Sequence, residues 1–156
     1  MLDRVLVLSG LDPSGGAGVV ADIETLNQFG VTPLPIVTAL TVQNTAKVEE
    51  VQAVDHQLIK KQLDSLANDI DINVIKIGLL TSAEQIITIA NWINEEYIVV
   101  LDPIIKASTA DELLTQQSVD TLKQVLLPKV KVLTPNTFEL EILAPNLDEQ
   151  SAILSL

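Results

Sequence analysis

The sequence predicts an α/β protein built on a mainly parallel sheet with helices on both faces. Short runs of branched aliphatic residues alternate along the chain with segments of helical periodicity. Several of these runs are almost wholly apolar, which is typical of strands buried on both faces. Hydrophobic residues make up 47% of the 156 residues but aromatic residues only 3%, so the predicted core is aliphatic. This length is sufficient for one domain with a buried core.

Six segments are predicted to form strands. The segments are Val5–Leu8, Pro35–Leu40, Val48–Val54 (the weakest), Val74–Ile77, Ile98–Leu101 and Val130–Leu133. Strands that alternate with helices indicate βαβ units with right-handed crossovers.

Helices are predicted from the spacing of apolar residues between these strands. The apolar stripes are formed by Ile59, Leu63, Leu66 and Ile70, and by Val119, Leu122 and Leu126 ahead of Pro128. Ser82 followed by Gln85 matches a capping box, which marks the start of another helix. Residues 147–156 resemble the beginning of a further helix.

Composition and charge argue against several classes of function. Nine basic residues against twenty-one acidic ones leave a formal net charge of −12, which disfavours nucleic acid and anionic membranes as partners. The chain contains no cysteine, so it has neither disulfides nor thiolate metal sites. The sole histidine, His56, is predicted at the surface near a helix start, which leaves no His-based catalytic triad or zinc site. Without a long apolar run, we expect a cytoplasmic protein.

Residues 9–18, SGLDPSGGAG, hold four of the six glycines in the chain and follow the first predicted strand. The loop is not a Walker A motif, because no Lys-Ser/Thr pair follows its glycines. Residues 16–21 match G-x-G-x-x-A only weakly as a dinucleotide loop, because no acidic residue occurs near the ribose position. A tight strand-to-helix turn is the structural alternative. We interpret the segment as a ligand loop, because glycines let backbone amides approach a bound molecule closely.

Polar residues also follow two other predicted strands. Asp102 ends the run 98–101, and Asn136 and Glu139 follow the run 130–133. Ligands of open parallel sheets bind beyond the carboxyl ends of the strands, so these groups are expected to converge on one crevice. A carboxylate at the position of Asp102 is costly unless it is solvated, paired or metal-bound, and its oxygens suit Mg²⁺. For Asn136 and Glu139, the spacing alone favours a helix capping pair.

Two further polar residues have open alternatives at this stage. Lys76 interrupts the apolar run 74–77, and its ammonium either snorkels from an edge strand or points into the crevice. Gln43 and Asn44 follow the run 35–40 as ordinary turn residues or as amides that bind a heteroaromatic ring.

Five stretches together resemble a known family. They are SGLDPSGGAGVVADIETL, TALTVQNT, VIKIGLLT, VVLDPII and LLPKVKVLTPNTFELEIL, and they resemble in order and spacing the hydroxymethylpyrimidine (phosphate) kinases of the ribokinase superfamily. The resemblance extends almost from Val5 to Leu143. It implies a three-layer α/β/α ribokinase-like (Rossmann-like) fold and a kinase of thiamine biosynthesis that uses ATP and Mg²⁺. It also implies a small-molecule pyrimidine as substrate, namely 4-amino-5-hydroxymethyl-2-methylpyrimidine and its monophosphate, and a homodimer.

The resemblance assigns roles to eight residues. The pyrimidine pocket would use Gly10, Asp12, Ala17 and Gln43, Mg²⁺ would be held by Asp102 and Glu139, and the phosphates would contact Lys76 and Asn136. Two positions differ from the family pattern. Leu79 replaces a methionine, and the stretch from Lys106 to Ala110 lacks the usual glycine.

Members of this family continue into a glycine-rich motif that supplies the anion hole, the group activating the substrate hydroxyl and much of the adenine site. We therefore expect residues 1–156 to form a single ribokinase-like domain, C-terminally truncated, whose catalytic residues lie outside the chain. The alternative is a truncated non-catalytic paralogue or fragment that binds a pyrimidine or pairs with another subunit. A weaker alternative is a ribokinase-like enzyme for another small alcohol such as pyridoxal.

Overall fold

Six strands form one sheet in the computed structural model, which describes residues 3–106 and 113–155. The strands are β1 (Arg4–Leu11), β2 (Thr32–Gln43), β3 (Val48–Ala53), β4 (Val74–Ile77), β5 (Ile98–Leu101) and β6 (Val132–Leu133). Their order across the sheet is β3-β2-β1-β4-β5-β6. Only β3 runs antiparallel, paired with β2, whereas the other neighbouring pairs are parallel. The mainly parallel sheet predicted from the sequence is confirmed.

Six helices flank or follow these strands in the described residues. They are α1 (Gly18–Gln28), α2 (His56–Ala67), α3 (Ala83–Trp92), α4 (Gln116–Thr121), α5 (Thr137–Leu143) and α6 (Glu149–Ser155). One π-helical turn, Leu122–Leu126, prolongs α4 and gives way to a short 3₁₀ turn that contains Pro128. No helix in the described ranges is both long enough and apolar enough to cross a membrane.

Side chains of the central strands point alternately toward the two helical layers on either face of the sheet. Leu8 and Ile77 are fully buried and belong to the main core, which includes residues of α2, α3 and α4. Lys76 points to the other face, because side chains alternate along a strand, and it contacts Asp22 of α1. Helices therefore cover both faces of the sheet, as the three-layer prediction requires.

The sheet order places β1 and β4 side by side at its topological switch point. The chain leaves β1 for β2 on one side and returns to β4 on the other side. Ligands of open α/β sheets bind beyond the carboxyl ends of the strands at such a point. The residues that end β1 and follow β4 are therefore the structural centre of the site described below.

Several strands differ in length from their prediction for identifiable reasons. β1 extends to Leu11 because a bulge after Ser9 lets its parallel pairing with β2 continue. β2 extends to Gln43 because β3 pairs with it beyond the end of β1, so Gln43 is the last residue of a strand. β6 begins only at Val132, because the amide of Val130 donates to Leu127 in the preceding 3₁₀ turn.

Three other expectations have different outcomes. The edge-strand alternative for Lys76 is wrong, because β4 has a partner strand on each side. His56 begins α2 as predicted, but it is only partly exposed and its Nδ1 lies 2.9 Å from Thr88 Oγ1. The stretch from Ala107 to Ala110, which lacks the family glycine, lies outside the described residues.

Gln85 joins the start of α3 to β2 and to the end of β3. Ser82 accepts a hydrogen bond from the amide of Gln85 at 3.3 Å, which confirms the predicted N-cap. The buried side chain of Gln85 does not complete a capping box. Its Nε2 donates to the carbonyl oxygens of Thr38 at 2.8 Å and Val54 at 2.7 Å, and its Oε1 accepts from the amide of Thr81 at 2.9 Å.

We expect Gln85→Leu to lower the free energy of unfolding by about 2–4 kcal/mol, because the substitution leaves buried backbone groups without partners. Urea denaturation followed by circular dichroism measures this loss. Gln57→Leu, on the exposed surface of α2, is the matched control and should change stability by less than about 0.5 kcal/mol. Equal stabilities for the two variants would contradict the bridging role of Gln85.

Candidate functional site: a glycine-lined cavity beside a charged cluster

The loop between β1 and α1 is held in shape by Asp12. Its side chain is 6% exposed, and Oδ1 accepts hydrogen bonds from the amide and the hydroxyl of Ser14, both at 2.7 Å. Burial raises the pKa of Asp12, but hydrogen bonds from Ser14, Gln43 and the amide of Ala17 outweigh it and lower the pKa overall. Asp12 is therefore an ionised carboxylate that organises the loop through Ser14 and lies near Gln43.

The loop ends where α1 begins, in close contact with β1. Ala17 is the N-cap residue of α1 and has an extended backbone. Its side chain makes no capping hydrogen bond to the first amides of the helix. Gly18 has a φ of 61°, and a Cβ there would lie 2.3 Å from the carbonyl oxygen of Gly10. Only glycine fits this contact, which folds the loop back against the end of β1.

A cavity of about 520 Å³ lies between this loop and the ribbon formed by β2 and β3. All four residues assigned to the pyrimidine pocket line it, namely Gly10, Asp12, Ala17 and Gln43. Thr41 also lines the cavity, and its hydroxyl donates to the carbonyl oxygen of Leu11 at 2.8 Å, which fixes the ribbon to the end of β1. The cavity volume falls within the range of small-molecule sites.

A charged cluster lies at the carboxyl ends of β4 and β5. Lys76 Nζ is 2.8 Å from Asp22 Oδ2, and the two side chains are 24% and 21% exposed. Burial raises the pKa of Asp102, the positive charge of Lys76 lowers it, and the negative charge of Asp22 raises it, so that it lies above the ordinary value. Lys76, Asp22 and Asp102 thus form one electrostatic unit.

Glu139 extends this cluster to the start of α5. Asn136 accepts from the amide of Glu139 and the Glu139 carboxylate accepts from the amide of Asn136, both at 2.9 Å, so the capping pair is present. Burial raises the pKa of Glu139, and the negative charge of the nearby Asp102 raises it further. The hydrogen bond from the Asn136 amide lowers the pKa, but the pKa remains above its ordinary value. Glu139 is 3% exposed, so capping alone does not account for its burial near a second carboxylate.

The cavity and the charged cluster lie next to each other but are formed by different residues. Among the described residues, Lys76, Asp102, Asn136 and Glu139 do not line the cavity, whereas Ile104, two positions after Asp102, does. The described ranges contain no group of three or more His, Cys, Asp or Glu residues that could hold a metal ion. Two carboxylates nevertheless fit Mg²⁺, because this ion is usually bound by one or two carboxylates together with substrate phosphates and water.

Sequence reasoning missed Ser9 and Asp22. Asp22 follows Gly18 by four residues, so a helical projection from the loop would have placed both on one face of α1. Ser9 immediately precedes the glycine loop, but its surroundings depend on how β1 and β4 lie against each other.

Known proteins of one family resemble this chain in sequence and in fold. The family model described as phosphomethylpyrimidine kinase matches residues 12–154. The hydroxymethylpyrimidine/phosphomethylpyrimidine kinase of Salmonella typhimurium is 36% identical over 135 residues, which are 85% of this chain and 51% of that protein. The crystal structure of phosphomethylpyrimidine kinase from Clostridium difficile is 30% identical with a TM-score of 0.85, over 97% of this chain and 67% of that chain. A pyridoxal kinase from Staphylococcus aureus in complex with AMP-PCP is 28% identical with a TM-score of 0.82, over 99% of this chain and 57% of that chain.

The single mainly parallel sheet with helices on both faces is a ribokinase-like fold of the kind found in these two kinases. More narrowly, the chain belongs to the phosphomethylpyrimidine kinase family. It spans about half the length of the curated relatives it matches, 51% and 55% for the relatives from Salmonella typhimurium and Staphylococcus aureus.

We expect Gly18→Ala to lower the free energy of unfolding by at least about 3 kcal/mol, because a Cβ meets the Gly10 carbonyl in addition to the strain of positive φ. Gly30→Ala is the matched control, because Gly30 has a φ of 72° but nothing within 4 Å of a Cβ. Its cost should be about 1–2 kcal/mol. Chemical denaturation of both variants measures the difference, and equal costs would refute the close contact.

We expect Asp102→Asn to raise the melting temperature at pH 7 and to lose most of this gain near pH 3. The folded-state pKa of Asp102 lies above its ordinary value of 3.8, so wild-type stability falls as the pH rises from 3.8 through the folded-state pKa. The asparagine variant lacks this fall. Differential scanning calorimetry across this pH range measures the effect.

Asp148→Asn should show the opposite sign in the same experiment. Hydrogen bonds from Ser151 lower the pKa of Asp148 below its ordinary value of 3.8, so this carboxylate stabilises the fold above that pH and loses its effect in acid. The variant should melt below wild type at pH 7, and the difference should shrink as the pH falls below 3.8. The same sign for both variants would contradict the assigned pKa directions.

Proposed function

We propose that this chain provides the pyrimidine-binding part of an ATP-dependent kinase of thiamine biosynthesis. The substrates are 4-amino-5-hydroxymethyl-2-methylpyrimidine, whose hydroxyl oxygen receives the γ-phosphoryl group of ATP, and the resulting monophosphate. The observation that carries the proposal is that one cavity is lined by all four residues, Gly10, Asp12, Ala17 and Gln43. Membership of the phosphomethylpyrimidine kinase family supports the choice of substrate.

The proposed ring site uses complementary hydrogen bonds. The Gln43 amide offers a donor and an acceptor side by side, which suits the ring nitrogen and amino group of an aminopyrimidine. Backbone groups around Gly10 and Ala17 approach the ligand where a larger side chain would intervene. Asp12 keeps this loop and Gln43 in position through its hydrogen bonds.

The proposed phosphate site is the charged cluster. Asp102 and Glu139 would hold Mg²⁺, and Lys76 and Asn136 would contact the phosphate groups. When bound, the metal ion neutralises the charge that develops on the transferred phosphoryl group. The ATP analogue in the structure of the pyridoxal kinase supports ATP as the phosphoryl donor. Prepositioning of this kind supplies most of the catalysis of phosphoryl transfer.

We also propose that residues 1–156 form one domain, that the protein works as a homodimer and that it is cytoplasmic. The single continuous sheet supports the first of these proposals. The net charge of −12 supports a small-molecule substrate without a nucleic-acid partner.

Gln43→Ala should weaken binding of the hydroxymethylpyrimidine roughly 10- to 100-fold, because the ring loses its paired amide. Isothermal titration calorimetry on the purified chain measures this, with pyridoxal as the comparison ligand. Gln52→Ala is the matched control, because Gln52 is exposed on the same ribbon and does not line the cavity.

Absence of heat with the pyrimidine for the wild-type chain would refute the proposed site. A coupled assay for ADP release, with MgATP and the pyrimidine, tests the kinase reaction separately. Binding without ADP release would restrict the chain to a pyrimidine-binding role, and tighter binding of pyridoxal would change the substrate.

A further inference from the structure

The hydroxyl of Ser9 is the single buried side-chain polar atom without a hydrogen-bond partner in the described part of the chain. Ser9 is 0% exposed, and it is one of the residues that line the cavity. A buried hydroxyl with no partner costs stability, and such groups in native proteins call for an explanation. A ligand group in the cavity that accepts this hydrogen bond would satisfy the hydroxyl.

Gly78 lies directly against this hydroxyl and against the ammonium group of Lys76. A Cβ on Gly78 would lie 2.6 Å from Ser9 Oγ and 2.9 Å from Lys76 Nζ. Any side chain here would therefore displace one of the two polar groups. Gly78 follows β4 directly and its amide donates to Leu8 of β1, at the switch point of the sheet, where the cavity and the charged cluster adjoin.

Two hydrogen-bond donors meet at Gly78, and two carboxylates, Asp22 and Asp102, lie near the Lys76 ammonium. The Ser9 hydroxyl has no acceptor in the protein, and the Lys76 ammonium uses one of its three hydrogens for Asp22. The same cavity is lined by Ala17 and Gly18, at the start of α1, an eleven-residue helix without a side-chain cap. Two side-chain donors, one of them cationic, with helix amides nearby are suited to an anionic oxygen group.

We propose that Ser9 and Lys76 bind the phosphate group of a phosphorylated pyrimidine, so that Ser9 makes the cavity prefer the phosphate monoester to the alcohol. This inference rests on the proposed pyrimidine site. A phosphate offers several oxygens that accept from both donors at once, whereas an alcohol oxygen fills only one of these roles. Gly78 acts by letting both donors approach the same position of the backbone.

Ser9→Ala tests this proposal directly on the purified chain by calorimetry with three probes. The probes are the hydroxymethylpyrimidine, its monophosphate and AMP-PCP with Mg²⁺. We expect the dissociation constant of the monophosphate to rise roughly tenfold while that of the alcohol changes less than about twofold. Gly78→Ala, whose Cβ would displace one of the two donors, should remove the same preference.

Ser118→Ala is the control for loss of a buried serine hydroxyl. Ser118 is 3% exposed, and its Oγ lies 3.1 Å from Thr115 Oγ1, away from the cavity. This variant should bind all three probes as wild type does. Thermal unfolding should show Ser9→Ala no less stable than wild type, because no protein partner is lost.

Each other outcome overturns the proposal. If both pyrimidines bind and Ser9→Ala leaves the monophosphate unaffected, or if Gly78→Ala keeps the full preference, the inference fails while the pyrimidine site stands. If only AMP-PCP binding weakens in Ser9→Ala, the phosphate belongs to the nucleotide. A clear drop in stability for Ser9→Ala would indicate that the hydroxyl already has a partner. If neither pyrimidine binds wild type, the proposed function itself is wrong.

Discussion

Parallel pairing of β1 on both of its sides is the constraint on which the rest of this structure depends. Because β2 and β4 flank β1 and run in the same direction, their carboxyl ends meet at one edge of the sheet. The glycine loop, Gln43 and the residues after β4 reach that edge from three separate parts of the sequence. A single strand in the wrong orientation would separate the cavity from the charged cluster.

The two halves of the site obtain their properties by different physical means. The cavity is lined by backbone atoms, by mostly small or neutral side chains and by two lysines, Lys47 and Lys106. Asp12, its buried carboxylate, has its charge satisfied by hydrogen bonds within the loop. The cluster instead retains carboxylates whose pKa values are raised by burial, at Asp102 and Glu139. Carboxylates destabilised in this way gain most from a bound cation, so the fold bears a cost that a metal–phosphate complex would relieve.

The sequence predicts the parts of this fold that depend on local pattern. The bounds of β4 and β5 match because each apolar run coincides with the buried part of its strand. Extensions of β1 to Leu11 and of β2 to Gln43 escape prediction, because they contain polar residues that become strand only through pairing with neighbours. The environments of Ser9 and Asp22 likewise depend on contacts between distant segments, which no local spacing reveals.

The roles of Asn136 and Glu139 mark the limit of such reasoning within the site. Their spacing predicts the capping pair, which is present. A helix cap does not require Glu139 to lie near Asp102, yet this proximity brings two buried carboxylates together. The resemblance to a family, and not the spacing, singled out this pair as more than a helix start.

The ribbon of β2 and β3 has an energetic consequence for the cavity wall. From Thr41 onward β2 has lost β1 as a neighbour and retains only β3, with the Thr41 hydroxyl as a side-chain tether to Leu11. A two-stranded segment of this kind opens at lower free energy than the central sheet, so its backbone retains more configurational freedom. A molecule that binds against Gln43 must order this backbone, and the loss of conformational entropy offsets part of the binding free energy.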